Sequence, residues 1–388
     1  MEEKVVLNVV HIVTIKSKSE LFKGDEPASF IEKIELEENG FSLVSQKGLY
    51  SVGDKAVYIE PDYNLSDIEL FDSFIRPDGN PKKSLLGSKN RIRAKKFNFH
   101  SGDFEPIYSV GILLPLSLVS EYVAKNKLKG KSLTEQLGIT KWEEPEPTNG
   151  GRQNGGRPFP SNMYKTDEEN INNRWGKMVF PSRYIGSLKS DGSSTTIFHK
   201  NGKSGICSRN MEIPAFINKV VGRKNPTLFD KLLLFFGFKV DLLKRELVEN
   251  DDKFILLCKP YLEKLEAYCI ETKQNLALRG EANGQAWKGS GNKNNPDAKN
   301  QPNIKFFGVD NFDGRTVKLG EAEFSKILVD LEVPRCEVIF DKVFNDKEEL
   351  VKECEEYFKH NLVEGIVIRN EFSTFSAKYM SLEYDSKK

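Results

Sequence analysis

Residues 184–198, YIGSLKSDGSSTTIF, limit what this chain can fold into more than any other stretch. Two apolar, β-prone runs flank Asp191-Gly192, and Asp-Gly between such runs is a strong hairpin signal. The pattern predicts two strands joined at Lys189-Ser190-Asp191-Gly192. Read alone, Lys189 is a solvated flank of that turn. Four hydroxyl residues follow, Ser193, Ser194, Thr195 and Thr196, and they suit the wall of a polar pocket better than an apolar core.

With 388 residues, the chain can hold two domains with sizeable cores. A hydrophobic content of 38% beside 30% charged residues describes a soluble globular protein. The net charge is only +1, so any nucleic-acid site must be a local patch. The five cysteines (207, 258, 269, 336, 354) have no C-x-x-C spacing, which predicts reduced thiols in an intracellular compartment, cytoplasmic or nuclear. The opening MEEKVVLNVV has acids where a signal peptide carries positive charge. The most apolar window, LLLFFGF at 232–238, is far short of the ~20 residues of a membrane span, so a buried helix and no membrane contact are expected. The four histidines (11, 100, 199, 360) are scattered, which argues against a hydrolase triad or a zinc centre.

The N-terminal third reads as short strands: 5–15, 30–36, 56–61 and 107–114, punctuated by turns at Gly48 and Gly53. That spacing fits a five-stranded OB-fold barrel over residues 1–142. Inside it, GSKNRIRAKKF (87–97) holds Lys89, Arg91, Arg93, Lys95 and Lys96, followed by Phe97 and Phe99. On a strand Arg91 and Arg93 would share one face, and cations beside aromatics suit a phosphate-tracking surface with base stacking. Ser132 caps a short helix ending near Gly138. Residues 143–161, rich in Pro, Gly, Asn and Glu, read as a linker. Thr166-Asp-Glu-Glu169 reads as a capping box opening a helix through Trp175, with Arg174 on it. Residues 211–276 read as helical (FINKVV, LFDKLLLFF, LLCKPYLEKLEAYCIE), an insertion packed on the sheet of a domain spanning 162–388.

Downstream of the Lys189 turn stand LRGEANG (278–284), FFGVD (306–310), EGIVIRN (364–370) and FSAKYMS (375–381). In order and spacing, these with K-x-D-G resemble the motifs of the covalent nucleotidyltransferase superfamily, and most of all ATP-dependent RNA ligases with an N-terminal OB domain. The resemblance implies an α+β fold: the OB barrel followed by a nucleotidyltransferase (ATP-grasp-like DNA/RNA ligase) domain of antiparallel sheets with flanking helices. It implies that Lys189 is the nucleophile that takes AMP from ATP, and that Asp191 assists metal-water binding and sealing. Gly192 would let the backbone approach the nucleotide, and Arg209, soon after that motif, would contact it. Glu281 would engage the ribose and metal, with Phe306 or Phe307 stacked on adenine. Glu364 would be a metal-site carboxylate, making Asp191, Glu281 and Glu364 the metal set for Mg²⁺ or Mn²⁺. Lys378 would grip the α-phosphate.

A second lysine common in this motif is Ser376 here, which bears on phosphate handling. The implied reaction joins a 3′-OH to a 5′-phosphate, as in RNA nick sealing or repair: the expected partner is a nicked RNA duplex or RNA/DNA hybrid end, and the protein is expected to be a monomer. Two alternatives stand beside this reading, a DNA-joining ligase on the same scaffold and a catalytically silent nucleic-acid-binding protein. The second is disfavoured because Lys189, Asp191, Glu281, Glu364 and Lys378 are all present.

Overall fold

The computed structural model describes residues 9–102, 106–142, 156–165, 168–236, 243–285, 287 and 294–387. In the N-terminal half, strands Val10–Lys23, Glu26–Leu36, Ser42–Gln46, Lys55–Ile59 and Ile112–Pro115 form one antiparallel sheet, with Val10–Lys23 at its centre. Val10–Thr14 pair with Lys55–Ile59, and from Ile15 onward the same strand pairs with Glu26–Leu36, with register shifts that bend it. Ala56 and Tyr58 enter one hydrophobic cluster, Val57 and Ile59 another. Alternate residues of this strand are therefore buried on opposite faces, which explains its unbroken apolar run. Ser132 caps the Leu133–Gln136 helix as expected, its hydroxyl accepting from Glu135 N at 3.3 Å.

The rest of the chain builds two large antiparallel sheets and a separate two-stranded one, giving the mixed α+β architecture expected. Seven strands order as Arg157–Pro158, Met211–Ile213, Lys203–Cys207, Ser193–Lys200, Leu276–Asn283, Asn303–Asn311 and Val317–Lys318. Four more order as Val338–Phe344, Ser182–Lys189, Gly365–Asn370 and Ser376–Met380. Helices Lys253–Thr272 and Glu321–Asp330 pack on the larger sheet through Cys258, Leu265, Cys269, Phe324 and Ile327. The Lys347–His360 helix covers the smaller sheet through Leu350 and Cys354. The opposite faces of the two sheets meet across a groove. All five cysteines are buried free thiols. No helix among the described residues is long and apolar enough to cross a membrane.

Three expectations are corrected. FINKVV is a strand: Phe216–Arg223 pairs with Leu243–Glu249 in a two-stranded sheet of its own, and only Leu228–Phe235 between them is helical. Ile and Val are β-branched and fit a pleated hairpin better than a helix. The apolar helix at 228–235 is not buried, since Leu228 is 88% and Phe235 84% exposed. The segment before Ser182 forms two 3₁₀ turns, Ile171–Asn173 and Trp175–Lys177, instead of a helix. Its asparagines explain this: the Asn170 side chain accepts from Asn172 N, and Asn172 Oδ1 accepts from Trp175 Nε1, both at 3.0 Å. Such local bonds compete with helical ones. The proposed cap, Thr166, lies outside the described residues, as does most of the linker, 143–155.

Candidate active site

Strand register gathers the motifs. Ser182–Lys189 and Ser193–Lys200 leave the K-x-D-G turn into different sheets, so the turn sits where the two sheets diverge. Lys189 pairs with Gly365, bringing Glu364 beside it; Ser194 pairs with Glu281; Val367 pairs with Lys378. Gly192 is required by close approach. A Cβ there would lie 2.4 Å from the Ala282 carbonyl and 3.0 Å from Glu281 Cγ.

The Lys189 ammonium donates to Glu364 Oε2 at 2.6 Å. Burial pushes its pKa down, but Glu364, Glu281 and Asp191 outweigh that and hold it above the ordinary lysine value. Asp191 is itself anchored: the Tyr384 hydroxyl donates to its Oδ2 at 3.0 Å, and Asn295 Nδ2 donates to its carbonyl at 2.9 Å. Tyr384 belongs to the C-terminal helix Leu382–Lys387, and the next residue, Asp385, accepts from Ala94 N of the N-terminal half at 3.2 Å.

Among the described residues, no three acidic, histidine or cysteine side chains already stand as a metal cage. The donor set nevertheless fits a hard divalent cation. It offers carboxylate oxygens only, and such ions are commonly held by one or two carboxylates with phosphates and water completing the shell.

The two phenylalanines of FFGVD have different fates. Phe306 is fully buried in the core, edge-on to Tyr261 with centroids 5.4 Å apart. At Phe307 the register slips, since Arg279 pairs with Gly308 and Gly280 with Phe306, leaving Phe307 as a bulged extra residue. It enters the inter-sheet groove, with the Arg279 and Arg369 guanidiniums 5.9 and 5.5 Å from its ring centroid. Arg279 donates to Asp310 at 3.0 Å, and Arg369 donates to the Ser187 hydroxyl at 3.2 Å and lies 3.6 Å from Glu168. Lys318 lines the same groove. Burial, then Arg279, lowers its pKa. Ser376 pairs with Arg369 and also lines the groove.

Lys378 lies 3.5 Å from Asp62 of the N-terminal half. Its backbone N–H donates to the Glu169 carbonyl at 2.8 Å. Arg209 occupies the bend between Lys203–Cys207 and Met211–Ile213, partly buried. Arg174 bonds Glu169 at 2.6 Å. The basic stretch divides. Lys89, Lys95 and Lys96 are exposed and Arg93 is partly buried, whereas Arg91 is buried against Asp62 and stacked on Trp142 at 3.9 Å. The single strand face expected for Arg91 and Arg93 is not formed, because Ser88–Asn90 is a 3₁₀ turn with Lys89 and Asn90 at positive φ, and the strand begins only at Lys95.

Sequence reasoning missed Asp62, Glu168, Arg279, Arg369 and Tyr384. Arg279 and Arg369 had a signal: each stands inside a motif segment, two residues along the strand from Glu281 and Val367 respectively, hence on the groove face. Nothing marks Asp62.

The RNA ligase family model matches residues 182–380. Among curated proteins there is no match. Similar solved structures include an RNA ligase variant from Naegleria gruberi with AMP and Mn, at 22% identity over 98% of each chain with a TM-score of 0.69. The same organism's ligase with pyrophosphate matches at 22% identity over 98% of each chain, TM-score 0.68. A variant with ATP and Mn matches at 22%, covering 98% of this chain and all of that one, TM-score 0.66. At such identity these matches speak to the fold, which both halves share. The family match spans every motif from the Lys189 strand to the Lys378 strand, and the chain belongs to the RNA ligase family.

Proposed function

We propose that this protein is an ATP-dependent RNA ligase that joins 3′-OH and 5′-phosphate ends through a lysyl-AMP intermediate, sealing nicks in RNA. The observation that carries the reading is the Lys189 ammonium, 2.6 Å from Glu364 at the divergence of two sheets, with Glu281, Asp191 and Lys378 brought around it by register. A lysine so placed suits covalent capture of a phosphoryl group.

In the first step Lys189 Nζ releases its ammonium proton to solvent and attacks the α-phosphorus of ATP, losing a second proton to solvent as the phosphoramide forms. A P–N bond forms, the bond to the bridging oxygen breaks, and pyrophosphate leaves. Lys378 grips the α-phosphate and offsets charge as it develops. Phe307, not the core residue Phe306, stacks on adenine, and Glu281 accepts from the ribose hydroxyls. Asp191, Glu281 and Glu364 would hold Mg²⁺ or Mn²⁺, whose charge would weaken the hold of those carboxylates on the Lys189 proton and neutralise phosphate oxygens. The AMP then passes to an RNA 5′-phosphate, and a 3′-hydroxyl displaces it to form the phosphodiester. Arg209 contacts the nucleotide in this scheme. The Naegleria structures with ATP, AMP and Mn support the choice of nucleotide and metal.

The reading divides the chain into residues 1–142, a linker at 143–161 and a catalytic domain at 162–388. The N-terminal sheet is taken as an OB barrel. In support, its edge strand Ser42–Gln46 reaches the segment before Ile112: Val110 N donates to Ser42 O at 3.0 Å. Lys89, Lys95 and Lys96, exposed on that domain, would follow the RNA backbone.

The test is label transfer. Wild type and K189A are incubated with α-labelled ATP or GTP and Mg²⁺ or Mn²⁺, then run on a denaturing gel. Label from ATP that disappears in K189A is expected; no label from either nucleotide refutes the ligase reading. Nicks with RNA or DNA on the 3′-OH side then separate RNA joining from DNA joining.

A further inference from the structure

Asp62, which lies in none of the motifs, ties the N-terminal half to the catalytic centre. It follows the Lys55–Ile59 strand, and its carboxylate sits 3.5 Å from Lys378 Nζ. The carboxylate is held from behind. Arg91 Nη2 donates to Oδ1, and the Arg91 guanidinium lies over Trp142, 3.9 Å from the ring centroid. Trp142 N donates in turn to the Asp62 carbonyl, and Asp62 N to the Ile92 carbonyl, each at 3.1 Å. The backbone at Asp62 has φ 68, a left-handed conformation that few side chains enter and aspartate enters at low cost. Burial raises its carboxyl pKa, but Lys378, Arg91 and Lys189 outweigh that and hold it at about 2. This is a fixed anion among three cations rather than a mobile surface charge.

We propose that Asp62 is a positioning residue for lysine adenylylation, holding the Lys378 ammonium in the phosphate site until the α-phosphate of ATP takes it over. The inference rests on the ligase reading above. A free lysine side chain samples many rotamers, and holding it in place beforehand keeps part of that lost freedom out of the barrier. The exchange strands no charge. When Lys378 turns to the phosphate, Asp62 keeps Arg91, which remains stacked on Trp142. The N-terminal half thereby acts on the first chemical step, not only on RNA.

The experiment measures single-turnover lysyl-AMP formation in D62N and D62S, two neutral replacements of different size, and in each combined with K378A. Melting temperatures identify which variants are folded, and either folded one decides. The rate at saturating ATP is expected to fall about ten-fold, with the apparent ATP affinity changed less than three-fold. D62N/K378A is expected to be no slower than K378A, because Asp62 acts through that lysine. A wild-type rate in a folded neutral variant overturns the proposal, as does the same ten-fold loss on top of K378A. The two failures are separable. Wild type that takes no label from ATP sinks the ligase reading, whereas a labelled wild type matched by D62N sinks this inference alone.

Discussion

Replacing Gly192 by alanine tests whether the K-x-D-G turn works by close approach. The added Cβ would lie 2.4 Å from the Ala282 carbonyl oxygen, where ordinary contact begins near 3.4 Å, so either the turn or the Leu276–Asn283 strand must yield by about 1 Å. The obstacle is backbone in the centre of the seven-stranded sheet, which cannot rotate away as a side-chain tip can. Overpacking of this kind costs ~1–3 kcal/mol. For a domain of this size that is a fall in Tm of roughly 3–10 °C. Catalysis should suffer more, because Asp191 adjoins the turn and Glu281 Cγ is the next atom met, at 3.0 Å. A displacement of ~1 Å at reacting groups costs on the order of 100-fold. The assay is single-turnover label transfer from ATP beside a melting curve. Gly202→Ala is the control: unlike Gly192 it has a left-handed backbone, φ 71, and nothing lies within 4 Å of its Cβ position. It should lose ~1 kcal/mol from backbone strain and keep its rate. G192A adenylylating within about three-fold of wild type, or slowed no more than G202A, would refute the close-approach argument.

Three further outcomes are expected. F307A should raise the ATP concentration needed for half-maximal labelling while leaving Tm nearly unchanged, whereas F306A should cost ~3–5 kcal/mol in urea unfolding as a core truncation; a reversal of the two would put the stacking face on Phe306. D310A strands the Arg279 guanidinium, 3% exposed, without the carboxylate 3.0 Å away, so unfolding should show a loss of ~3–5 kcal/mol, and a loss below 1 would show that the pair is dispensable. The Asp62 carboxyl is held at about 2 in the fold, below the ~3.9 of an unfolded aspartate. Its contribution is therefore fully present above pH ~4 and lost as pH falls through 2. The shift alone sets a ceiling of ~2.5 kcal/mol, and because the side chain is 36% exposed, solvent screening reduces it to ~1–1.5. The stability difference between wild type and D62N should shrink by roughly half between pH 6 and pH 3; a difference independent of pH would exclude that ionic origin.

The residues to which the proposal gives chemical roles could be picked from the sequence because that chemistry restricts residue type. A nucleophile that forms a phosphoramide must be an amine, the strand carrying Glu281 must clear a glycine, and the segments recur in fixed order. Register then did what spacing had implied, seating Glu364 beside Lys189 through the Lys189–Gly365 pair. The errors fell where local pattern and tertiary setting compete. FINKVV contains apolar residues that fit either period, and only its partner strand Leu243–Glu249 decides for the hairpin. TDEENINNRW carries a cap signature, but the Asn170 and Asn172 side chains bond locally and the chain is drawn against the Lys378 strand instead.

Asp62 and Arg91 show why the remainder was unreadable. Arg91 stands in a run of five cations within eleven residues, and a run of that kind reads as surface. What removes it from solvent is a carboxylate 29 positions earlier and an indole 51 positions later. Neither has a sequence signature, since an aspartate in a turn is ordinary and a tryptophan before a linker is equally so. Burying a cation is tolerable only when its partner is already fixed, and the partner here is fixed by a left-handed backbone and by Lys378, some 300 residues further along the chain. The Asp62–Arg91 pair thus forms within the N-terminal half, and the contact to Lys378 is the part that needs both halves docked. That contact makes Asp62 informative: a carboxylate fixed within one half and 3.5 Å from Lys378 of the other reports on how the N-terminal half meets the catalytic one.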